Sequence, residues 1–342
     1  MKFQILLCTS ISLLMANTLF SQLYPAASVK YDTIPVGMGN LEHYINGDTT
    51  VDGSRKNPSR VYVLKGGNIY IQNAPISVNM GITGTLAIIG DLSKSQNFPV
   101  ILKKELSGVQ VGENIINGSL TLKNIQYEGK SLGNTYTYYQ PWGLYGLNRT
   151  LSVDNCLFEF CDMIMFSMNN VTTGCKIFIT NCYMRNFFNG TQWWGGRMIE
   201  AKVPIDTLVY ENNTSTGSGL LVLTQNCLIN YAIYNHNTII NNIKYPFFNS
   251  YHKEAYFTNN LIVNGGLSGD DPVNMGDGGQ DPGRLPMGIF GVDTINVNIL
   301  IQPQYRNGDG SINLSLVGPN KQKIYVADNV IVADNELDDY LH

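Results

Sequence analysis

The stretch Arg197-Met-Ile-Glu-Ala-Lys202 sets two cations and a carboxylate within one short segment, directly after the aromatic pair Trp193-Trp194. If Ile199 and Ala201 turn toward an apolar interior, strand alternation faces Met198, Glu200 and Lys202 outward. Arg197 shares the inward parity, but at the start of a strand it can turn out to solvent. These residue types fit acid-base chemistry on sugars. Glu200 is a candidate acid or base, and Arg197 or Lys202 would neutralise a uronate carboxylate and act as base in an elimination. Hydrolysis needs a second carboxylate across the scissile bond, and Asp162 is the sequence's best candidate. Aromatic rings supply the complementary binding surface, because the apolar face of a pyranose stacks on Trp or Tyr. Tyr136, Tyr138, Tyr139 and Trp142 form a second aromatic group beside Trp193 and Trp194. The plainer alternative is that these aromatics cover an exposed flank of the fold.

The elements that must position these residues repeat along the chain. Leu151-Ser-Val-Asp-Asn155 alternates two aliphatic residues with polar ones and ends in asparagine. The same pattern ends at Asn124, Asn181, Asn212, Asn237 and Asn259. A variable period of this kind is the mark of a solenoid whose loops differ in length. The apolar residues two and four places before each asparagine point inward. Asparagine suits the sharp bend because, among non-glycine residues, it best tolerates the left-handed conformation. Stacked asparagine amides can also hydrogen-bond in a ladder. An apolar residue usually returns three places later: Tyr127, Phe158, Met184, Ile240 and Ile262, with Ser215 the exception. The reading is an all-β parallel β-helix with Asn-containing turns. The alternative, antiparallel strands in a sandwich, lacks its two-residue hairpin signals.

This repeat also locates the aromatics. The second turn of each coil is short except at Gly129 to Pro141 and Asn189 to Gly196, which are separated by one coil. Both would project from one side and wall a groove, with Glu200 and Lys202 on its floor.

Residues 1–21 read as a secretory signal peptide: an early lysine, an apolar run from Ile5 to Leu14, and small Ser21 before Gln22. Residues 22–80 read as an N-terminal segment and cap with the first coil, Gly39 to Ile45 forming a short helix that plugs the open end. Residues 81–342 read as the β-helix. The acidic tail, Asp334 to Asp339, offers no evident closing helix, so the sequence reads as cut before its natural end. No other segment is long and apolar enough for a membrane span. A net charge of -4 without a Lys/Arg cluster argues against a nucleic-acid partner.

Cys156, Cys161, Cys175, Cys182 and Cys227 match no tetrahedral zinc pattern. Cys156 and Cys182 each follow a turn asparagine in consecutive coils, and a buried stack is favoured there over a disulfide. The histidines, His43, His236, His252 and His342, do not cluster. No metalloprotease, serine-hydrolase, phosphate-loop or dinucleotide motif occurs. No cofactor is required by any motif. Asp270, Asp271, Asp277 and Asp281 carry oxygen ligands of the kind calcium prefers, but their spacing matches no EF-hand and suits a solvated loop.

The signal peptide, Ile45-Asn-Gly-Asp-Thr-Thr50 leading to Val61-Tyr-Val-Leu-Lys-Gly-Gly67, Asn235-His-Asn-Thr-Ile-Ile-Asn-Asn242 and Phe257-Thr-Asn-Asn-Leu-Ile-Val263 resemble secreted right-handed β-helix proteins of Bacteroidota and related bacteria. The resemblance runs from residue 34 to 330 and implies the pectate-lyase-like fold. In enzymes of that fold the substrate groove lies on a comparable strand face. Polygalacturonases are similar in having paired aspartates, which Asp270-Asp271 match, but their Gly-His-Gly is absent. The expectation is a secreted or cell-surface protein that binds an extracellular polysaccharide through an aromatic-walled groove. A lyase or hydrolase acting in the same groove is the alternative, and a structural or adhesive surface protein a second.

Overall fold

The computed structural model describes residues 29–106, 109–132, 140–188, 195–224, 227–243, 246–248, 251–265 and 323–332. The chain winds as a right-handed parallel β-helix with three sheets as its faces. The first sheet stacks ten strands, from Lys30–Thr33 and Arg60–Lys65 through Thr150–Asp154 and Cys175–Thr180 to Lys323–Ala327. The second runs from Ile69–Gln72 to Val330–Val332, and the third from Ser77–Asn79 to Phe247–Phe248. Pairing between coils is parallel in all three sheets, which excludes the sandwich alternative. An antiparallel strand, Val109–Gln110, pairs with the end of Val100–Leu106 in an excursion from one coil.

Alternation builds the core. Leu120, Leu151, Ile177, Leu208, Ala232 and Ala255 are in register on successive strands of the first sheet and are all buried. Leu122, Val153, Ile179, Tyr210, Tyr234 and Phe257 form the next inward row. Side chains from all three sheets then meet edge to face, as Tyr127 does with Trp142, Phe158 with Phe166, and Tyr210 with Phe247.

The bend after the first sheet is left-handed at Asn124, Asn155, Asn181, Asn212, His236 and Asn259, with φ between 49° and 56°. One expectation needs correction: the bend in the fifth of these coils is His236, not Asn237. Consequently Ile239, not Ile240, is the apolar residue that returns to the core in that coil. Asn237 belongs to a different row, one place further on, which points inward and buries Asn213, Asn237 and Asn260. There Asn213 N and Nδ2 donate to Asn237 Oδ1 at 3.0 and 3.2 Å, Asn237 N and Nδ2 to Asn260 Oδ1 at 3.0 and 2.9 Å, and Asn260 N and Nδ2 to Asn329 Oδ1 at 3.0 and 2.8 Å. The bend asparagines carry an outer ladder: Asn155 Nδ2 donates to Asn124 Oδ1 at 2.8 Å, and Asn212 Nδ2 to Asn181 Oδ1 at 2.6 Å.

Earlier coils fill the inner row with Ile125, Cys156 and Cys182. Both thiols are free and buried, as are those of Cys161, Cys175 and Cys227. Burial pushes the Cys227 thiol up to about 12, and raises the others at 161, 175 and 182 as well, so all four are inert thiols at neutral pH.

The helix Asn40–Gly47 covers the start of the stack, burying Leu41 and Ile45. It is stapled to the first coil by Asn73 N and Ala74 N, which donate to Glu42 Oε1 at 2.8 and 3.2 Å, and by Asn46 Nδ2, which donates to Pro75 O at 2.9 Å. Among the described residues no helix is long and apolar enough to cross a membrane.

Candidate functional site

Two connections from the second sheet to the third are longer than the one between them. Residues 133–141 join Gln126–Leu132 to Trp142–Gly146, and residues 188–196 join Tyr183–Phe187 to Arg197–Ala201. The intervening coil passes from Leu157–Glu159 to Ile164–Val171 through only residues 160–163. The asparagine spacing therefore located both long connections on one flank with a single coil between. Tyr136, Tyr138, Tyr139, Trp193 and Trp194 lie in them and outside the described residues, as do residues 1–28, His342 and the aspartates at 270, 271, 277 and 281.

Trp142 is not a groove wall. It pairs in register with Asn114 and Phe166 on the inward row of the third sheet and is 0% exposed, edge-on to Tyr127. Alternation explains the difference: Trp142 is the first residue of its strand rather than the last of the connection, and its parity points it inside.

The outward row of the same strands is Ile115, Gly143, Ser167, Glu200 and Leu223, residue beside residue. Glu200 thus has the predicted direction, but it is 3% exposed and forms no open floor, and Met198 is fully covered. Arg197 does leave its inward parity: Nη1 meets Glu200 Oε2 at 2.5 Å, and the side chain is as buried as its partner. Lys202 Nζ and Asn169 Nδ2 reach Glu200 Oε1 at 3.2 and 2.8 Å, with Lys202 half exposed at the rim.

Asp162 is not its partner. The register sets Ser167 beside Glu200, and Asp162 lies five residues upstream, up to about 16 Å along the strand. Partial burial raises the Asp162 carboxyl above its usual range.

The second carboxylate on this face is one the sequence reading missed. Glu113 lies over Gly143, where its Oε1 leaves no room for a Cβ. Gln140 Nε2 donates to Glu113 Oε1 at 2.5 Å and the Tyr145 hydroxyl to Oε2 at 3.2 Å. From Gly143 to Glu200 is two strand spacings, about 9.6 Å. In register between the two carboxylates stand Gly143, which has no side chain, and Ser167, which has a short one. Ser167 is 1% exposed, and among the described residues its Oγ has no hydrogen-bond partner, nor has Asn169 Oδ1. Buried polar atoms without partners are rare and each costs about 1–3 kcal/mol.

The outer row of the second sheet, leading into the same connections, is charged too. Glu128, Glu159 and Arg185 are adjacent in register. Arg185 Nη2 meets Glu159 Oε2 at 2.6 Å and Asn186 Nδ2 donates to Oε1 at 3.2 Å. Burial, with the Glu159 anion beside it, raises the Glu128 carboxyl to about 7. Each of these residues stands four places after a bend asparagine, a position the repeat marks as outward.

The flank therefore belongs to a right-handed parallel β-helix protein whose third sheet carries a buried outward row, Gly143, Ser167 and Glu200, where the connections 133–141 and 188–196 enter that sheet. No family model, no curated protein and no solved structure matches this sequence, so this row itself carries the functional reading.

Proposed function

We propose that this is a secreted β-helix protein that binds an extracellular polysaccharide across this third-sheet row, between the connections 133–141 and 188–196. The observation that supports it most is Ser167. Its hydroxyl, beside Glu200 on the outward row, and Asn169 Oδ1, two residues further along the same strand, are buried without a partner among the described residues, and a sugar hydroxyl has the donor and acceptor capacity both lack. The Tyr and Trp residues of the adjoining connections supply ring faces for a pyranose. The apolar N-terminal run supports export, which N-terminal sequencing of the protein recovered from culture medium would test.

The direct test is affinity electrophoresis of the purified chain against a panel of polysaccharides, with Ser167→Ala as the paired variant. Removing an unpartnered hydroxyl leaves stability unchanged or raises it by about 1 kcal/mol. Binding is expected to weaken by about five- to tenfold, the worth of one or two hydrogen bonds. A Ser167→Ala protein that binds as well as the parent would remove Ser167 from the site. Absence of binding to every polysaccharide would overturn the proposal.

A further inference from the structure

Independently of glycan binding, we infer that the last coil is a dimer interface. Two copies of this chain stack tail to tail through Lys323–Ala327 and Val330–Val332, paired antiparallel across a twofold axis at the bend between those strands. They are the outermost strands of the first and second sheets, so one edge of each has no neighbour among the described residues. Their inward residues continue the core rows: Val326 is in register with Phe257, and Ile331 with Ile262. Phe257 and Ile262 are fully buried, whereas Val326 is 56% and Ile331 51% exposed. The outward residues are apolar as well, since Val330 and Val332 lie beside Leu261 and Val263. Apolar residues on both faces mark an interior strand rather than an exposed edge.

The opposite end is built differently. Its first strand, Lys30–Thr33, carries Lys30 and Asp32, the kind of charges that blunt an edge, and the helix Asn40–Gly47 covers the start of the stack. Gly39 N also donates to Ile71 O at 2.7 Å, which satisfies part of the second sheet's first edge. By contrast, Ile324 to Ala327 and Val330 to Val332 include no charged residue and no proline. The tail of one copy therefore has no open head to stack on. A contact between two tails is isologous and closes at two.

The coil is also self-complementary about its bend. With the axis between Asp328 and Asn329, Val326 of each copy meets Ile331 of the other on the inward row. On the outward row Tyr325 meets Val332, and Ala327 meets Val330. Each pair buries apolar surface and none opposes like charges. At the bend the fit is polar. Each earlier coil passes its amide donors forward, Asn259 N to Ala327 O at 3.1 Å and Asn260 N to Asn329 Oδ1 at 3.0 Å. Asp328 N and Asn329 N have no such acceptor among the described residues. The same register sets Asn329 of one copy against Asp328 of the other, whose carboxylate accepts without donating.

Sedimentation velocity of the purified chain over a hundredfold range of concentration is the test, and a species of twice the chain mass is expected at the upper end. Val326→Lys should weaken that dimer by about tenfold or more, because it brings an unpaired ammonium group into the contact. Tyr325→Cys/Val332→Cys reads the register. Within one chain these positions each lie about 10 Å from the bend on separate arms, too far for a disulfide, so oxidation should give a covalent dimer. The free cysteines at 156, 161, 175, 182 and 227 are buried and do not compete. Should Val326→Lys fail to fold, cross-linking decides alone. A monomer at every concentration, or a dimer that survives Val326→Lys and forms no cross-link between positions 325 and 332, would overturn the inference.

Discussion

Buried polar side chains in this molecule divide by whether the fold itself satisfies them. Glu200 is answered by Arg197, Lys202 and Asn169, whereas Ser167 Oγ, one strand away, has no hydrogen-bond partner among the described residues. His252 is an interior case of a third kind. It is fully buried, shares a 3.0 Å hydrogen bond between Nε2 and the Tyr234 hydroxyl, and burial lowers its pKa to about 3. Because the folded value lies below the unfolded one, the unfolded chain binds the extra proton between roughly pH 6.5 and 3. The stability conferred by a neutral His252 is therefore complete above pH 6.5 and is lost as pH falls, by up to about 1.4 kcal/mol per pH unit. His252→Phe loses the bond to the Tyr234 hydroxyl together with a buried Nδ1 that has no partner among the described residues, so the informative quantity is how its stability relative to the parent changes with pH. Urea unfolding from pH 7 to pH 4 should show the variant gain on the parent as pH falls. Glu128 acts in the opposite sense: its raised value confers stability below pH 4.5 that is lost as pH rises through 7, so the difference between variant and parent is the quantity to follow.

Along each coil, the two asparagine rows make different demands. At the bend, Asn155 holds a left-handed φ of 49°, where glycine is at ease and alanine costs about 1–2 kcal/mol. On the inner row, Asn237 accepts from Asn213 and donates to Tyr210 O and Asn260 Oδ1, so truncation strands several buried groups at about 1–3 kcal/mol each. Asn155→Gly should accordingly change stability little, Asn155→Ala modestly, and Asn237→Ala by well over 3 kcal/mol, as chemical denaturation would measure. The same two rows explain what could be read from the chain beforehand. Alternation before each asparagine identified the inward residues of the first sheet. Two adjacent rows of asparagine, however, look alike as letters, and in the coil where histidine takes the bend the inner Asn237 was mistaken for it. The site was legible in position more than in membership. The long connections were located from the repeat, and Glu200 received its outward direction. Trp142 was placed by its proximity to the three tyrosines, and Asp162 as the opening of the corresponding strand one coil earlier. Glu113 and Ser167 join Glu200 only through the register of strands 24 or more residues apart, a relation carried by no local pattern.

At the scale of the whole stack, a solenoid separates scaffold from surface. The ladders follow the bend after the first sheet, whereas the connections 133–141 and 188–196 lead from the second sheet to the third. The outer face of the first sheet offers a natural control, since it too carries aromatics: Tyr256 and Tyr325 stack on each other at 4.6 Å, with their rings nearly parallel. Rings packed face to face in this way offer a sugar mainly their edges. Hydroxyl-radical footprinting with and without an oligosaccharide reads both faces in one experiment. Binding across the third-sheet row predicts reduced oxidation of Trp193, Trp194, Tyr136, Tyr138 and Tyr139, with Tyr256 and Tyr325 unchanged. Protection of Tyr256 and Tyr325, with the two tryptophans oxidised as before, would contradict it.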